Sequence, residues 1–137
     1  MKIYHLDREE KKIYIPSLEK LNSKYWLNEN FSFKKVNHIF VAKEKEELVA
    51  FATCNNYYGY WFLRNCVVHK DYRGKGIQKK LTKSRLDFLK DLNAKEVQVC
   101  VDPKNVYSLE NILKSGFEIK GKKFIEGKEH LKLKKKL

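Results

Sequence analysis

The stretch Cys66-Val67-Val68-His69-Lys70-Asp71-Tyr72-Arg73-Gly74-Lys75-Gly76-Ile77-Gln78 decides how the chain is read. Its apolar start closes a strand-like run over residues 60–69. Its end opens a helical pattern over 76–93, with Ile77, Leu81, Phe88, Leu89 and Leu92 on one face. Lys79, Lys80, Lys83, Arg85, Lys90 and Asp91 fall mainly on the other. A strand that runs through a short glycine-bearing loop into a helix gathers free main-chain N–H groups and the positive helix end at one point, which suits an anion. Gly74 and Gly76 permit backbone angles and close approaches that other residues resist, and Arg73, Lys75, Lys79 and Lys80 add positive charge. Two other phosphate motifs do not fit. A dinucleotide-binding fingerprint needs Gly where Lys79 stands, and a P-loop needs Gly-Lys-Ser/Thr after a four-residue gap. A glycine-rich helix start that binds nothing is the plain alternative.

Downstream, residues 96–101 alternate, with Val97, Val99 and Val101 on one face and Gln98 and Cys100 on the other. Strand, helix and strand within about 40 residues make a crossover unit, so the strands at 60–69 and 96–101 are expected to be parallel. Asn105 is an N-cap for a short helix containing Leu109, Ile112 and Leu113, which Gly116 ends. Short strands are expected at 117–121 and 130–133. Upstream, 38–42 and 48–54 read as strands joined by the charged turn 43–47, and 55–59 as a turn-rich connection to 60–69. Residues 2–6 suit a short strand, and Asp7 with Glu10 forms a capping box. Pro16 is expected to break the helix that follows, with a second piece carrying Leu18, Leu21 and Tyr25. The fold class is α+β: a mixed, mostly antiparallel sheet flanked by helices, in one domain over residues 1–137.

Composition narrows the function. Thirty Lys+Arg against 17 Asp+Glu give +13, which points to an anionic partner. Only four of those basic residues are Arg, however, and specific phosphate or base recognition tends to use Arg. No apolar run approaches the ~20 residues of a membrane span, and the first residues lack a signal-peptide core, so a cytoplasmic location is expected. Cys54, Cys66 and Cys100 read as reduced, buried small hydrophobes, and no Cys or His spacing suggests a metal site.

The opening stretch resembles the acyl-CoA signature of the GNAT superfamily of N-acyltransferases, Arg/Gln-x-x-Gly-x-Gly/Ala. Arg73 and Gly76 fill its first positions, while Gln78 departs from the last and Lys70 replaces a frequent Pro. The family's second signature, Asn-x-x-Ala-x-x-Leu-Tyr-x-x-x-Gly-Phe, is similar to the run with Asn105, Ser108, Gly116 and Phe117; Asn111 and Ile112 replace its Leu and Tyr. The resemblance covers roughly residues 38 to 133. It implies a sheet splayed open between the strands 60–69 and 96–101, with the pantetheine arm of acetyl-CoA in the gap. It further implies that main-chain amides from Arg73 or Gly74 through Lys75, Gly76, Ile77 and Gln78 hold the pyrophosphate. Main-chain groups of Cys66, Val67 and Val68 would pair with the pantetheine, one N–H facing the thioester oxygen. Asn105 and Ser108 would lie beside that arm.

The reaction so implied is direct attack of a primary amine on the thioester. An amine with pKa ~10.4 is about one part in a thousand neutral at pH 7, so a proton acceptor is useful. The strand 60–69 carries no acid, which leaves Asp102 as the candidate, or a loop carboxylate with no such role. His69 could also serve. Ile112 stands where relatives often have a Tyr that protonates the leaving thiolate, and a thiolate of pKa ~8.5 leaves acceptably without one. For the acceptor, Tyr60, Phe62 and Arg64 are candidate contacts within an aromatic group that includes Tyr25, Trp26, Tyr57, Tyr58 and Trp61; core packing would explain the same residues. The charge disfavours polycations and favours an amine bearing a carboxylate, or a peptide N-terminus in an acidic context. Two rivals are a GNAT-like protein that binds CoA without catalysis, and a nucleic-acid or ribosome binder using Lys34, Lys35, Lys120, Lys122, Lys123 and the 132–136 tail. Nucleic acid is disfavoured by the scarcity of Arg, and a homodimer is compatible with the reading.

Overall fold

The computed structural model describes residues 1–25, 32–36 and 38–137; Trp26 of the aromatic group lies outside them. In chain order the elements are β1 (Lys2–His5), α1 (Arg8–Tyr25), β2 (His38–Glu44), β3 (Glu47–Tyr57), β4 (Tyr60–Val68), α2 (Ile77–Asp91), β5 (Glu96–Val101), α3 (Val106–Lys114), β6 (Glu118–Ile125) and β7 (Lys128–Lys136). The strands form one sheet in the order β1-β2-β3-β4-β5-β7-β6. β4 and β5 are parallel, and every other neighbouring pair is antiparallel. This is the expected α+β architecture, with the crossover through α2 in place.

Helices cover the sheet on both faces. Leu81 and Leu89 of α2 and Ile112 of α3 pack with Val97, Val99 and Leu133 on one side. Leu18 and Leu21 of α1 pack with Ile39, Val41, Phe51 and Val67 on the other. Each such side chain, removed from water, contributes about 2 kcal/mol.

The start of α1 is the capping box read from the sequence: Glu10 N–H donates to Asp7 Oδ1 at 2.8 Å, and Asp7 N–H donates to Glu10 Oε1 at 3.0 Å. Pro16, however, does not break the helix, which runs unbroken from Arg8 to Tyr25. Pro16 and Lys12 are both exposed, so the Lys12 carbonyl left without its helical donor faces water. Burial of Leu18 and Leu21 one turn further on holds the remaining length.

Four strands are longer than expected, β2 by two residues, to Glu44. β3 continues through Asn55 and Asn56 to Tyr57, which pairs with Tyr60. The connection is thus a two-residue turn with positive φ at both Tyr58 (54°) and Gly59 (89°), the geometry that tight hairpins favour. β6 and β7 also extend, because β7 is inserted between β5 and β6 and pairs with both along its length. The lysine-rich C-terminal run is therefore an interior strand of the sheet. Leu131 and Leu133 face the core, and Lys132, Lys134 and Lys136 alternate with them.

Candidate active site

β4 departs from its neighbours in two places. Opposite β3, Ala52 pairs with Cys66 and Cys54 with Leu63, so Thr53 faces two residues, Arg64 and Asn65, in a bulge. The bulge resets the alternation: Trp61 and Leu63 before it and Cys66 and Val68 after it all pack towards the α2 side. Opposite β5, only Phe62 and Gln98 stand in register. Beyond that contact no further pair of the two parallel strands stands in register, so the segment carrying Cys66, Val67 and Val68 is unpaired on its β5 side.

At the end of this segment a single 3-10 turn, Lys70–Tyr72, leads to Arg73 and the two glycines. Gly74 and Gly76 both have φ 76°, and Gly76, the N-cap of α2, offers no side-chain cap. An L side chain there would be strained by about 1–2 kcal/mol whatever the space around it. The first amides of α2 therefore lack helical partners and face outward at the positive helix end. The Arg73 amide is already bonded to Lys70 O at 3.4 Å, so the free run begins at Gly74. The Arg73 side chain is also engaged: Nε donates to Val68 O at 3.1 Å, and the guanidinium lies 4.8 Å from the Tyr25 ring. Lys75 and Lys80 line a cleft of about 420 Å³ beside the loop, together with Tyr72 and Ile77.

Tyr25 sits at this loop and not with the expected acceptor aromatics. Its hydroxyl accepts the Lys70 N–H at 3.0 Å and its ring meets His69 edge-on, which ties the end of α1 to the end of β4. The rest of the aromatic group is divided as well. Trp61 packs on the α2 side against His38 and Phe88, Tyr58 is fully exposed at the turn, and Phe62 pairs with Tyr57 at 5.6 Å. Tyr60, Phe62 and Arg64 alternate with Trp61 and Leu63 and so occupy the opposite face of β4. On α3, Asn105 Oδ1 accepts the Ser108 N–H at 3.2 Å as an N-cap. Asp102 Oδ1 accepts the Lys104 N–H at 2.9 Å in the turn that follows β5.

Two buried polar atoms that sequence reasoning missed, Thr53 Oγ1 and Asn65 Nδ2, lie at the bulge without a partner. Their only signal in the sequence is a pair of polar residues interrupting apolar strands. Among the described residues, no cluster of His, Cys, Asp or Glu could hold a metal, and no helix is long and apolar enough to cross a membrane.

The two sequence signatures meet through side chains. Gln78 Nε2 donates to Ser108 Oγ at 2.8 Å, joining the first turn of α2 to the first turn of α3. A family model described as the acetyltransferase (GNAT) family matches residues 2–117. The chain belongs to the GNAT family. Solved GNAT-fold relatives superpose over nearly the whole chain. An aminoglycoside 6'-N-acetyltransferase complexed with coenzyme A has a TM-score of 0.81 at 17% identity, over 99% of this chain and 97% of that one. A ribosomal-protein-alanine N-acetyltransferase from Brucella melitensis has a TM-score of 0.80 at 17% identity, over 100% of both chains. A spermidine N-acetyltransferase chimera from Vibrio cholerae and hSSAT has a TM-score of 0.75 at 17% identity, over 98% and 95%. No curated protein sequence matches the chain. Likeness at such identity shows the GNAT fold and leaves the acceptor open.

Proposed function

We propose that this GNAT chain is a single-domain, cytoplasmic N-acetyltransferase that moves an acetyl group from acetyl-CoA to a primary amine by direct attack. The observation that carries this reading is the loss of β4–β5 register after one pair, on the strand that leads into an uncapped, glycine-bearing helix start. The residues present fit CoA. Amides of Gly74, Lys75, Gly76, Ile77 and Gln78 suit a pyrophosphate, with Arg73 bracing the strand end rather than presenting its amide. Main-chain groups of Cys66, Val67 and Val68 suit a pantetheine arm laid down like an added strand. Asn105 and Ser108 hold the far wall through their mutual bond and through Gln78.

Bound acetyl-CoA supplies an acyl thioester. The chain's residues orient that carbonyl, donate a main-chain N–H to its oxygen and accept the amine's surplus proton. Asp102 is our proton acceptor, acting through water. Asn at this position can accept the same Lys104 N–H, so Asp102→Asn removes the charge and keeps the turn. With an accepted amine, that variant should lower kcat several-fold and flatten the pH–rate profile; an unchanged profile removes Asp102 from the role. Tyr60, Phe62 and Arg64 line our acceptor side, and Arg64 is exposed and available to a carboxylate.

The reading is tested by a melting curve. Millimolar acetyl-CoA should raise Tm by a few degrees. Gly76→Asp should abolish the shift, because it places a carboxylate among amides meant for pyrophosphate. A folded wild type whose melting curve ignores acetyl-CoA defeats the proposal. Thiol release coupled to a panel of amines, amino acids and peptides then separates an enzyme from a CoA binder without catalysis.

A further inference from the structure

Arg85 lies between Leu81 and Leu89 on the buried stripe of α2 and is 2% exposed. The expectation from its charge, a place on the solvated face of α2, is therefore overturned. The four-residue spacing to both leucines sets it inward. A buried cation is costly unless its donors are satisfied, and among the described residues no carboxylate faces this one. The charged neighbours that could matter are two thiols, Cys54 and Cys66. Burial pushes Cys54 up to about 12 and raises Cys66 as well, so both stay neutral near pH 7.

The guanidinium meets oxygens instead. Nε donates to Leu81 O at 3.3 Å, and one terminal nitrogen donates to Thr82 Oγ1 at 3.2 Å. The other donates to Thr53 O and to Arg64 O, each at 3.1 Å. Those two carbonyls stand at the bulge, where the β3–β4 ladder skips a residue. Phe62, the one residue of β4 in register with β5, lies just ahead of it. The peptide between Arg64 and Asn65 is planar, so holding its C=O towards Arg85 fixes its N–H in the opposite direction. The course of the main chain from Asn65 to Val68 follows from that peptide.

We propose that Arg85 is a positioning residue for acetyl transfer: by gripping Thr53 O and Arg64 O it holds the β4 bulge open and aims the main chain beyond it at the thioester. The inference rests on the placement of acetyl-CoA between β4 and β5. It assigns to α2 a second task, distinct from presenting amides at its N-terminus. One nitrogen bonds both carbonyls, and it is aimed by the rest of the guanidinium through Leu81 O and Thr82 Oγ1; lysine has no Nε or second terminal nitrogen to be held there, so Arg85→Lys keeps the charge and weakens the grip. Arg85→Met loses both.

The test uses acetyl-CoA labelled with 13C at its carbonyl, and needs no known acceptor. On binding to wild type, the carbonyl signal should move from its free position as the thioester oxygen accepts a hydrogen bond. The movement should shrink from wild type to Arg85→Lys to Arg85→Met, while the Kd for CoA stays within about threefold because the phosphate loop is untouched. With any amine that is turned over, kcat should fall by about tenfold or more in the same order. If Arg85→Met does not fold, Arg85→Lys and Thr82→Val, which loosens one side of the guanidinium, carry the comparison. An unmoved signal in wild type that binds CoA overturns the inference alone. So does an Arg85 variant with wild-type signal and kcat, or one whose CoA affinity falls in step with kcat. A wild type that does not bind acetyl-CoA defeats the underlying reading and this inference with it.

Discussion

His38 Nδ1 and His5 Nε2 lie 3.1 Å apart, so one ring must donate and the other accept. His5 stacks on Phe40 at 4.4 Å and both rings meet Phe88. Burial, the His5 ring and Lys11 together lower His38 to about 4; burial and Lys11 lower His5, against a smaller opposing pull from Glu10. The unfolded chain takes up these protons near pH 6.5, so between about 6.5 and 4 it binds more of them than the folded one. Stability is therefore full above pH 6.5 and falls on acidification through that window. His38→Gln, which stays neutral, should lose less Tm than wild type between pH 7.5 and pH 5, and an equal loss would rule the pair out as the cause. Nothing local in the sequence announces this contact, since the two residues are 33 apart and meet only when β1 pairs beside β2.

At the scale of elements, sequence and structure part where a local rule meets a compensation that only the tertiary fold supplies. Capping at Asp7, Asn105 and Gly116 was legible because each motif is complete within a few residues: Phe117 N–H reaches Ile112 O at 3.4 Å and Gly116 N–H reaches Leu113 O at 3.0 Å, as a Schellman end requires. Pro16 was misread because its penalty is local while its compensation, the burial of Leu18 and Leu21, is not. Arg85 was misread because charge was given more weight than its position four residues from two core leucines. The glycine-bearing start of α2 is legible, since glycine at a helix start serves local geometry that few other residues allow. The grouping of the aromatics is not, because they separate onto two faces of β4 only through alternation and the bulge. Pro16→Ala should stabilise the protein. An interior proline costs about 3 kcal/mol relative to alanine, a figure that already includes the stiffer unfolded chain, so a gain of up to about 3 is expected. The measure is the denaturant midpoint at constant slope; an unchanged or lower midpoint would mean that the proline ring itself is needed at this position.

For the molecule as a whole, the +13 charge has a different distribution from the one its tail suggests. The lysines at 132–136 are not a free arm but part of the strand between β5 and β6, where Lys132 stands opposite Cys100 and Lys134 opposite Gln98. Some lysines are cancelled locally by acids, as at Lys120–Glu118 and Lys122–Glu129, and drop out of that net figure. The remainder raises the potential over the whole surface, and an approaching acceptor feels that sum more than any one lysine. GNAT-fold relatives named for spermidine, an aminoglycoside and a ribosomal protein show that the fold does not choose among acceptors, so charge is the sharper guide. An amine carrying a carboxylate, or a peptide with an acidic start, should therefore exceed a polyamine in kcat/KM at low ionic strength. Raising salt towards 1 M, where the screening length falls to about 3 Å, should bring the two classes together by slowing the acidic acceptor and helping the polycation. A polyamine preferred at low salt, with a rate that falls as salt rises, would mean that an acidic acceptor pocket outweighs the field of the whole chain.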